Sequence, residues 1–411
     1  MRRFFTPSTF VSVAIIAAVT AMVAVANLRS RESRGSYRRQ DNWRPMGTRG
    51  AGTSRADLGA RIVELRAAVA KQSEDVGAAV MLADALVRQT RITGNTGLAI
   101  EAEGVLKRAL ANDVSNYDAN RALGSLLLSQ HRFREAVAIG EKNRDARPYD
   151  PINYGVIGDG YLELGDYDKA FEAFDRMMSL RPSSASYARV AYARELQGNL
   201  AGAIESMKLA VDATPPDDPE ALAWHHAQVG DLYLRLGRMH EAESEYIAAS
   251  HAFPGHPFAM TGYSRLLAAR GEPGAALALL QELATTAPTP DLAARTGDLL
   301  AQIGRRDEAE RQYALAEAGW RTDAPEPKNL VRFLADHDRK IPEAVAIAAG
   351  AAAERHDIFT EDALAWAYFK AGRVALAREA IARALRTGSK DADIRAHARA
   401  IEAAAGQAAA R

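Results

Sequence analysis

The sequence predicts an all-α solenoid of about eight helix hairpins, and three observations carry that prediction. The stretch "GYLELGDYDKAFEAFDRMMSLRP" at 160–182 returns in looser form as "LYLRLGRMHEAESEYIAASHAFP" at 232–254. Alanine is abundant, aromatic residues make up only 7%, and no run of Val, Ile and Thr reads as a strand, a mixture that favours helix. Taking Gly124, Gly158, Ala191, Gly230, Ser264, Gly297, Arg332 and Ala365 as equivalent, the spacings are 34, 33, 39, 34, 33, 35 and 33, and a sustained period of this size marks a repeat array.

The chain opens on an apolar segment, 1–28. No charge interrupts Phe4 to Leu28, and a helix of that length, about 37 Å, would cross a bilayer. Arg2 and Arg3 precede it, and Ala24-Val25-Ala26 offers small residues for cleavage before Asn27, so the segment is either a retained membrane anchor or a removed signal peptide. That layout predicts export to the periplasm or the periplasmic face of the inner membrane. Arg29, Arg31, Arg34, Arg38 and Arg39 crowd its C-terminal flank, and positive-inside bookkeeping taken alone would instead leave the body on the cytoplasmic face. Residues 29–56 are rich in Arg, Gly and Ser without apolar periodicity and read as a flexible basic stalk. Residues 1–55 hold ten Arg and no Lys against Glu32 and Asp41, a charge of +8; the net charge is zero, so the body carries −8. A mildly acidic body speaks against nucleic acid as its partner. There is no cysteine, which excludes disulfides, thiolate metal sites and catalytic thiols.

Residues 57–116 contain helical stretches at Ala56–Lys71 and Val76–Arg91, then "ITGNTG" and Leu98–Ala111. These predict N-terminal helices and an irregular repeat with an enlarged inner loop. The regular array occupies 117–391. Two antiparallel helices must approach closely, so small residues sit where they cross (Gly158, Gly230, Gly297 against Ala170, Ala242, Ala309) and larger ones fill the space a turn away. Gly165, Gly198, Gly237, Gly271, Gly304 and Gly372 are placed to end the first helix of each hairpin in the left-handed conformation. Pro148, Pro182, Pro215, Pro254 and Pro288 stop the second. The spacing of 39 is explained by an insert, "DDPEA", after Pro215-Pro216. Arg332 breaks the rule of a small residue, so its unit either packs loosely or sits slightly out of register. Residues 392–411, rich in alanine, predict a C-terminal cap helix.

Large-x-x-aliphatic-Gly-x-x-aromatic, then Ala-x-x-x-aromatic, then Pro, is the pattern of Tyr154, Ile157-Gly158, Tyr161, Ala170, Phe174 and Pro182. His226, Val229-Gly230, Tyr233, Ala242, Tyr246 and Pro254 follow it too. In this the chain resembles the tetratricopeptide-repeat (TPR) proteins, of a bacterial type with an N-terminal signal or anchor. The resemblance implies a right-handed superhelix with a concave inner groove for protein or peptide ligands. Some members grip a C-terminal carboxylate with a clamp of Lys and Asn; Arg121, Ser125, Gly155 and Asp159 stand at the corresponding positions here and lack that set.

No phosphate-binding loop or metal cluster emerges. The glycines of "GVIGDGYLELG" fall inside a repeat helix, where packing explains them. His225 and His226 are sequence neighbours and point to different sides of a helix. No catalytic, metal or cofactor residue is therefore expected, and no small-molecule substrate. One residue beyond the crossing point, on the predicted groove, stand Ser125, Asp159, Tyr192, Asp231, Arg265, Asp298, Phe333 and Trp366. Those from Asp159 to Trp366 are the candidate partner-binding residues: spaced carboxylates suited to a basic extended peptide, ending in an aromatic patch. A row of exposed helix positions is also polar by default. The expected function is a non-enzymatic scaffold at the cell envelope. The alternatives are a structural brace of a secretion or polysaccharide-export machine, or a cytoplasmic-facing membrane-anchored adaptor.

Overall fold

Among the residues that the computed structural model describes, 55–322 and 326–409, twenty helices and no strand occur. The leader at 1–28 and the stalk as far as residue 54 lie outside them. No helix among the described residues is long and apolar enough to cross a membrane. Helix α1 (Arg55–Lys71) precedes nine hairpins. The first pairs α2 (Val76–Thr93) with α3 (Thr96–Asn112). Then come α4 (Tyr117–Ser129) with α5 (Phe133–Ala146), α6 (Pro151–Leu164) with α7 (Tyr167–Leu180), and α8 (Ser184–Leu196) with α9 (Leu200–Asp212). The middle of the array is α10 (Pro219–Arg235) with α11 (Met239–Ala252) and α12 (Pro257–Ala269) with α13 (Pro273–Ala284). It ends with α14 (Pro290–Gln302) and α15 (Arg306–Thr322), α16 (Pro327–Asp336) and α17 (Ile341–Glu354), α18 (Ile358–Lys370) and α19 (Val374–Ala384), and the cap helix α20 (Ala392–Ala409).

The small residues do what the pattern asks of them. A methyl group built on Gly158 would lie 2.4 Å from Phe174 Cε1, and one on Gly297 would lie 2.4 Å from Tyr313 Cε1. Ala170 and Ala309 are buried at the same crossings, as Ala242 is opposite Gly230 and Ala276 opposite Ser264. The six glycines expected to close first helices all have positive φ, between 71° and 86°. The enlarged inner loop expected near residue 94 is absent: α2 runs on to Thr93, Gly94 closes it at φ 70°, and Asn95 caps α3 by accepting from Gly97 N.

The departure at Arg332 is one of register. Val331 is fully buried, and the left-handed residue that closes α16 is Asp338, seven residues on, as Gly165 follows Gly158. Val331 therefore holds the crossing point, and the spare residue is absorbed in a turn whose last residue, Lys340, also has positive φ. Arg332 moves to the groove position, where it bonds Asp393 at 2.6 Å. Phe333 moves off the groove into the core, 4% exposed, against Tyr313, Trp320 and His337. Its place in a surface aromatic patch is thereby corrected.

Consecutive first helices touch one another (α2 with α4, α4 with α6, α10 with α12, α16 with α18), so they form the inner layer of the coil. The coil is wound tightly enough that successive turns meet. Ile358 N–H donates to Tyr167 Oη at 2.8 Å across 191 residues, and Arg355 reaches Glu163 at 3.0 Å across 192. His356 N–H donates to Leu164 O at 3.0 Å. About 190 residues, five to six hairpins, therefore make one turn. The contact is one of edges: turns within the early hairpins seat on turns between the late ones. A methyl on Gly165 would lie 2.4 Å from the His356 carbonyl carbon, and one on Gly198 would lie 2.4 Å from Gly388 O. The same group on Gly271, Gly304 or Gly372 would meet nothing within 4 Å.

The seam is both apolar and ionic. Leu162, Tyr167, Phe174 and Leu196 share one core cluster with Ile358 and the α18 to α20 side chains. At its centre Arg355, 8% exposed, bonds Asp357 (2.7 Å), Glu326 (3.0 Å) and Glu163 (3.0 Å). His131, the non-glycine residue that closes α4 at φ 59°, reaches Glu326 at 2.5 Å. Burial works against the Glu326 charge, but His131, Lys328 and Arg355 outweigh it and hold that carboxyl well below its usual range. The insert after Pro215-Pro216 serves a further long-range contact. It lengthens α10 to 17 residues and presents Asp218 and Glu220 to Arg88 and Arg91 of α2, about 130 residues earlier.

Candidate partner-binding channel

The turns touch at their edges, so what the first helices enclose is a channel along the coil axis rather than an open groove. Its lining is charged. Asp84, Asp291 and Arg295 are exposed to solvent, yet surrounding protein raises both carboxyl pKa values by desolvation. The Arg295 guanidinium is lowered by desolvation and then by Arg265. Side chains that water reaches while protein encloses them from most directions border a narrow wet space.

Within that space the candidate residues are engaged with one another and with neighbours. Asp159 accepts two hydrogen bonds from Arg189 of the next hairpin, at 2.9 and 2.6 Å. Asp231 takes both oxygens to Arg265 (2.6 and 2.7 Å) and also accepts from Tyr246 Oη. Such charge-assisted pairs leave little free acceptor capacity. Asp298 is the more open carboxylate, its side chain 55% exposed, with Tyr313 Oη at 3.0 Å and His337 Nε2 at 3.4 Å. Tyr192 is half-buried and packs on the seam core; burial pushes its phenol well up. Trp366 donates to Asp336 Oδ1 at 2.7 Å and stacks on His397 of the cap helix with ring centroids 4.0 Å apart. Asp231 and Arg265 are thus brought together as a pair, whereas Asp159, Asp298 and Trp366 each keep separate partners. A continuous acidic track does not form. Sequence reasoning missed Arg189, Arg295 and Arg332; the first two stand two residues before the crossing point, a second row that also faces the channel.

The histidines behave as packing and pairing residues. His225 is buried with Nδ1 2.9 Å from Thr214 Oγ1, and burial followed by His226 lowers its pKa to about 4. His226 meets Glu245 at 2.7 Å. No cluster of three potential metal ligands occurs among the described residues.

The tetratricopeptide-repeat family model matches residues 100–151, 156–218 and 230–292. Through those stretches the chain carries tetratricopeptide repeats. The repeats outside those stretches share the same hairpin geometry and edge the same channel. A search of curated proteins gives no match. Among solved structures it is similar to a chain of the APC/C hetero-tetramer Cut9–Hcn1, at 13% identity and TM-score 0.51, covering 84% of this chain and 59% of that one. It is also similar to human IFIT1 solved with m7Gppp-AAAA, at 14% identity and TM-score 0.52, covering 82% and 78%. Likeness at these identities is likeness of fold. The TPR fold is in general a scaffold for protein–protein interaction.

Proposed function

We propose that this protein is a non-catalytic scaffold at the bacterial cell envelope, delivered or tethered by residues 1–28, that takes segments of partner proteins into its channel. The observation carrying this reading is that hairpins and cap account for the described residues from 76 onward, with a wet charged channel along the first helices. An apolar leader ahead of that array supports the envelope. The likeness to IFIT1, solved with m7Gppp-AAAA, introduces an oligonucleotide as a second occupant. The channel's carboxylates (Asp84, Asp291, Asp298) disfavour a uniformly anionic polymer.

Two measurements test the proposal together. N-terminal sequencing combined with protease accessibility in spheroplasts should give either Asn27 or the intact leader as N-terminus, with the body digested from outside; a body cut only after lysis overturns export. Crosslinking of the full-length chain in envelope fractions should recover protein partners. Recovery of one fixed assembly favours the brace, and recovery of nucleic acid alone overturns the scaffold.

A further inference from the structure

We infer that the channel contains an anion site between Arg265 and Arg295 that receives a carboxylate of an acidic segment of the partner. The inference rests on the scaffold reading and follows from the repeat symmetry. In one hairpin pair, the groove residue Asp159 and the residue two before the next crossing point, Arg189, meet in a two-pronged ion pair at 2.6 and 2.9 Å. In the pair formed by α12 and α14, those same two positions are Arg265 and Arg295. The geometry that elsewhere joins opposite charges here sets two guanidinium groups against each other.

Neither guanidinium is fully used. Arg265 turns back to Asp231 through one terminal nitrogen, and its buried Nε finds no partner. That turn is allowed because the position facing Asp231 is Gly262, where a methyl would lie 2.9 Å from Asp231 Oδ1. Arg295 makes no hydrogen bond or ion pair among the described residues. Arg332, two groove positions beyond Arg265, is tied to Asp393 and also leaves a buried Nε without a partner. Arg295, without Arg265, borders a cavity of about 90 Å³ that Arg91, Thr261, Thr289, Asp291 and the apolar Leu283 and Leu292 also line, so the Arg295 end of the site has room beside it for a carboxylate. Asp291 is the carboxyl nearest Arg295 in sequence; desolvation raises its pKa while Arg295 lowers it, and no hydrogen bond or ion pair joins the two among the described residues. A peptide bearing spaced carboxylates suits a channel of mixed sign; a phosphodiester chain, charged at every unit, would set charges against Asp298 and Asp291 as well.

The test uses the full-length chain and a fluorescein-labelled peptide with glutamates three residues apart, (Glu-Gly-Ser)4, followed by anisotropy, with hexauridylate RNA and inorganic phosphate as competitors. Wild type should bind the peptide in a salt-dependent manner. Arg295→Gln should weaken binding about ten-fold or more with unchanged melting, and Arg295→Lys should restore part of it. Arg295→Glu should abolish binding and melt no lower than wild type, because it recreates the Asp159–Arg189 arrangement. Equal binding by wild type and Arg295→Gln overturns the site, as does no binding by wild type. Tighter binding of the RNA, or of phosphate alone, overturns the peptide assignment. Partner crosslinking that survives Arg295→Gln sinks this inference and leaves the scaffold standing, whereas failure of wild type to capture any protein removes the scaffold itself.

Discussion

Gly165 and Gly372 close first helices with nearly the same backbone, φ 86° and 72°, but only Gly165 faces another turn of the coil. Alanine at either position meets the left-handed penalty of about 1–2 kcal/mol, so that term cancels between them. At Gly165 the new methyl would also sit 2.4 Å from the His356 carbonyl carbon and 2.6 Å from Asp357 N. Backbone cannot rotate aside, so the edges must part. Parting them stretches His356 N to Leu164 O, Ile358 N to Tyr167 Oη, and Arg386 to Gly165 O. At about 0.5–1.5 kcal/mol each, these bonds place the excess cost of Gly165→Ala near 2–4 kcal/mol over Gly372→Ala. Urea denaturation of the two variants measures that difference, and small-angle scattering of Gly165→Ala should show a longer particle. Equal losses of stability with equal radii of gyration would refute the closed seam.

Three further outcomes are expected. Arg355→Met leaves Glu163, Glu326 and Asp357 with Lys328 as their shared cation, and removal of one partner from a buried ionic cluster should cost about 3 kcal/mol, against little change for Arg270→Met at the exposed Glu243 pair; matched losses in urea denaturation would contradict the seam's ionic centre. Stability should fall on acidification in two stages: burial holds His225 at about 4, so its contribution is complete above about 6.5 and disappears as pH drops towards 4. Burial would raise Glu220, but His256, Arg91 and Arg88 hold it at about 2, so its contribution is complete above about 4.5 and fades towards 2; a melting temperature constant from pH 6.5 to 4 contradicts the first stage. Asp231→Asn should lower the melting temperature because it uncouples Arg265 and Tyr246, whereas Asp298→Asn should leave it nearly unchanged, and the reverse order in a thermal scan would overturn the assigned pairing.

The hairpins were legible because each buries its small and large residues against its neighbours, and nearest-neighbour packing writes itself into the sequence at a fixed period. Gly158, Ala170 and Phe174 are such a set. The seam was not, because the partners of Leu164, Tyr167 and Glu163 lie about 190 residues on, and nothing in a repeat pattern states how many units complete a turn. Phe333 was misplaced by the same kind of reasoning that placed Gly158: counting spacing alone let Arg332 occupy the crossing point, when a fully buried Val331 stood beside it. The pairing of Asp231 with Arg265 did have a signal, opposite charges at matched positions of adjacent hairpins. The insert at 217–221 announced itself as an irregularity in length, and its contacts with Arg88 and Arg91 give that irregularity a purpose.

The edge-to-edge closure also has a consequence for biosynthesis. At about 5–20 residues per second, Gly165 is made roughly ten to forty seconds before His356. Through that interval the early hairpins present Leu162, Tyr167 and Leu196 with nothing to cover them, so the nascent chain has an exposed oily rim until its second half arrives.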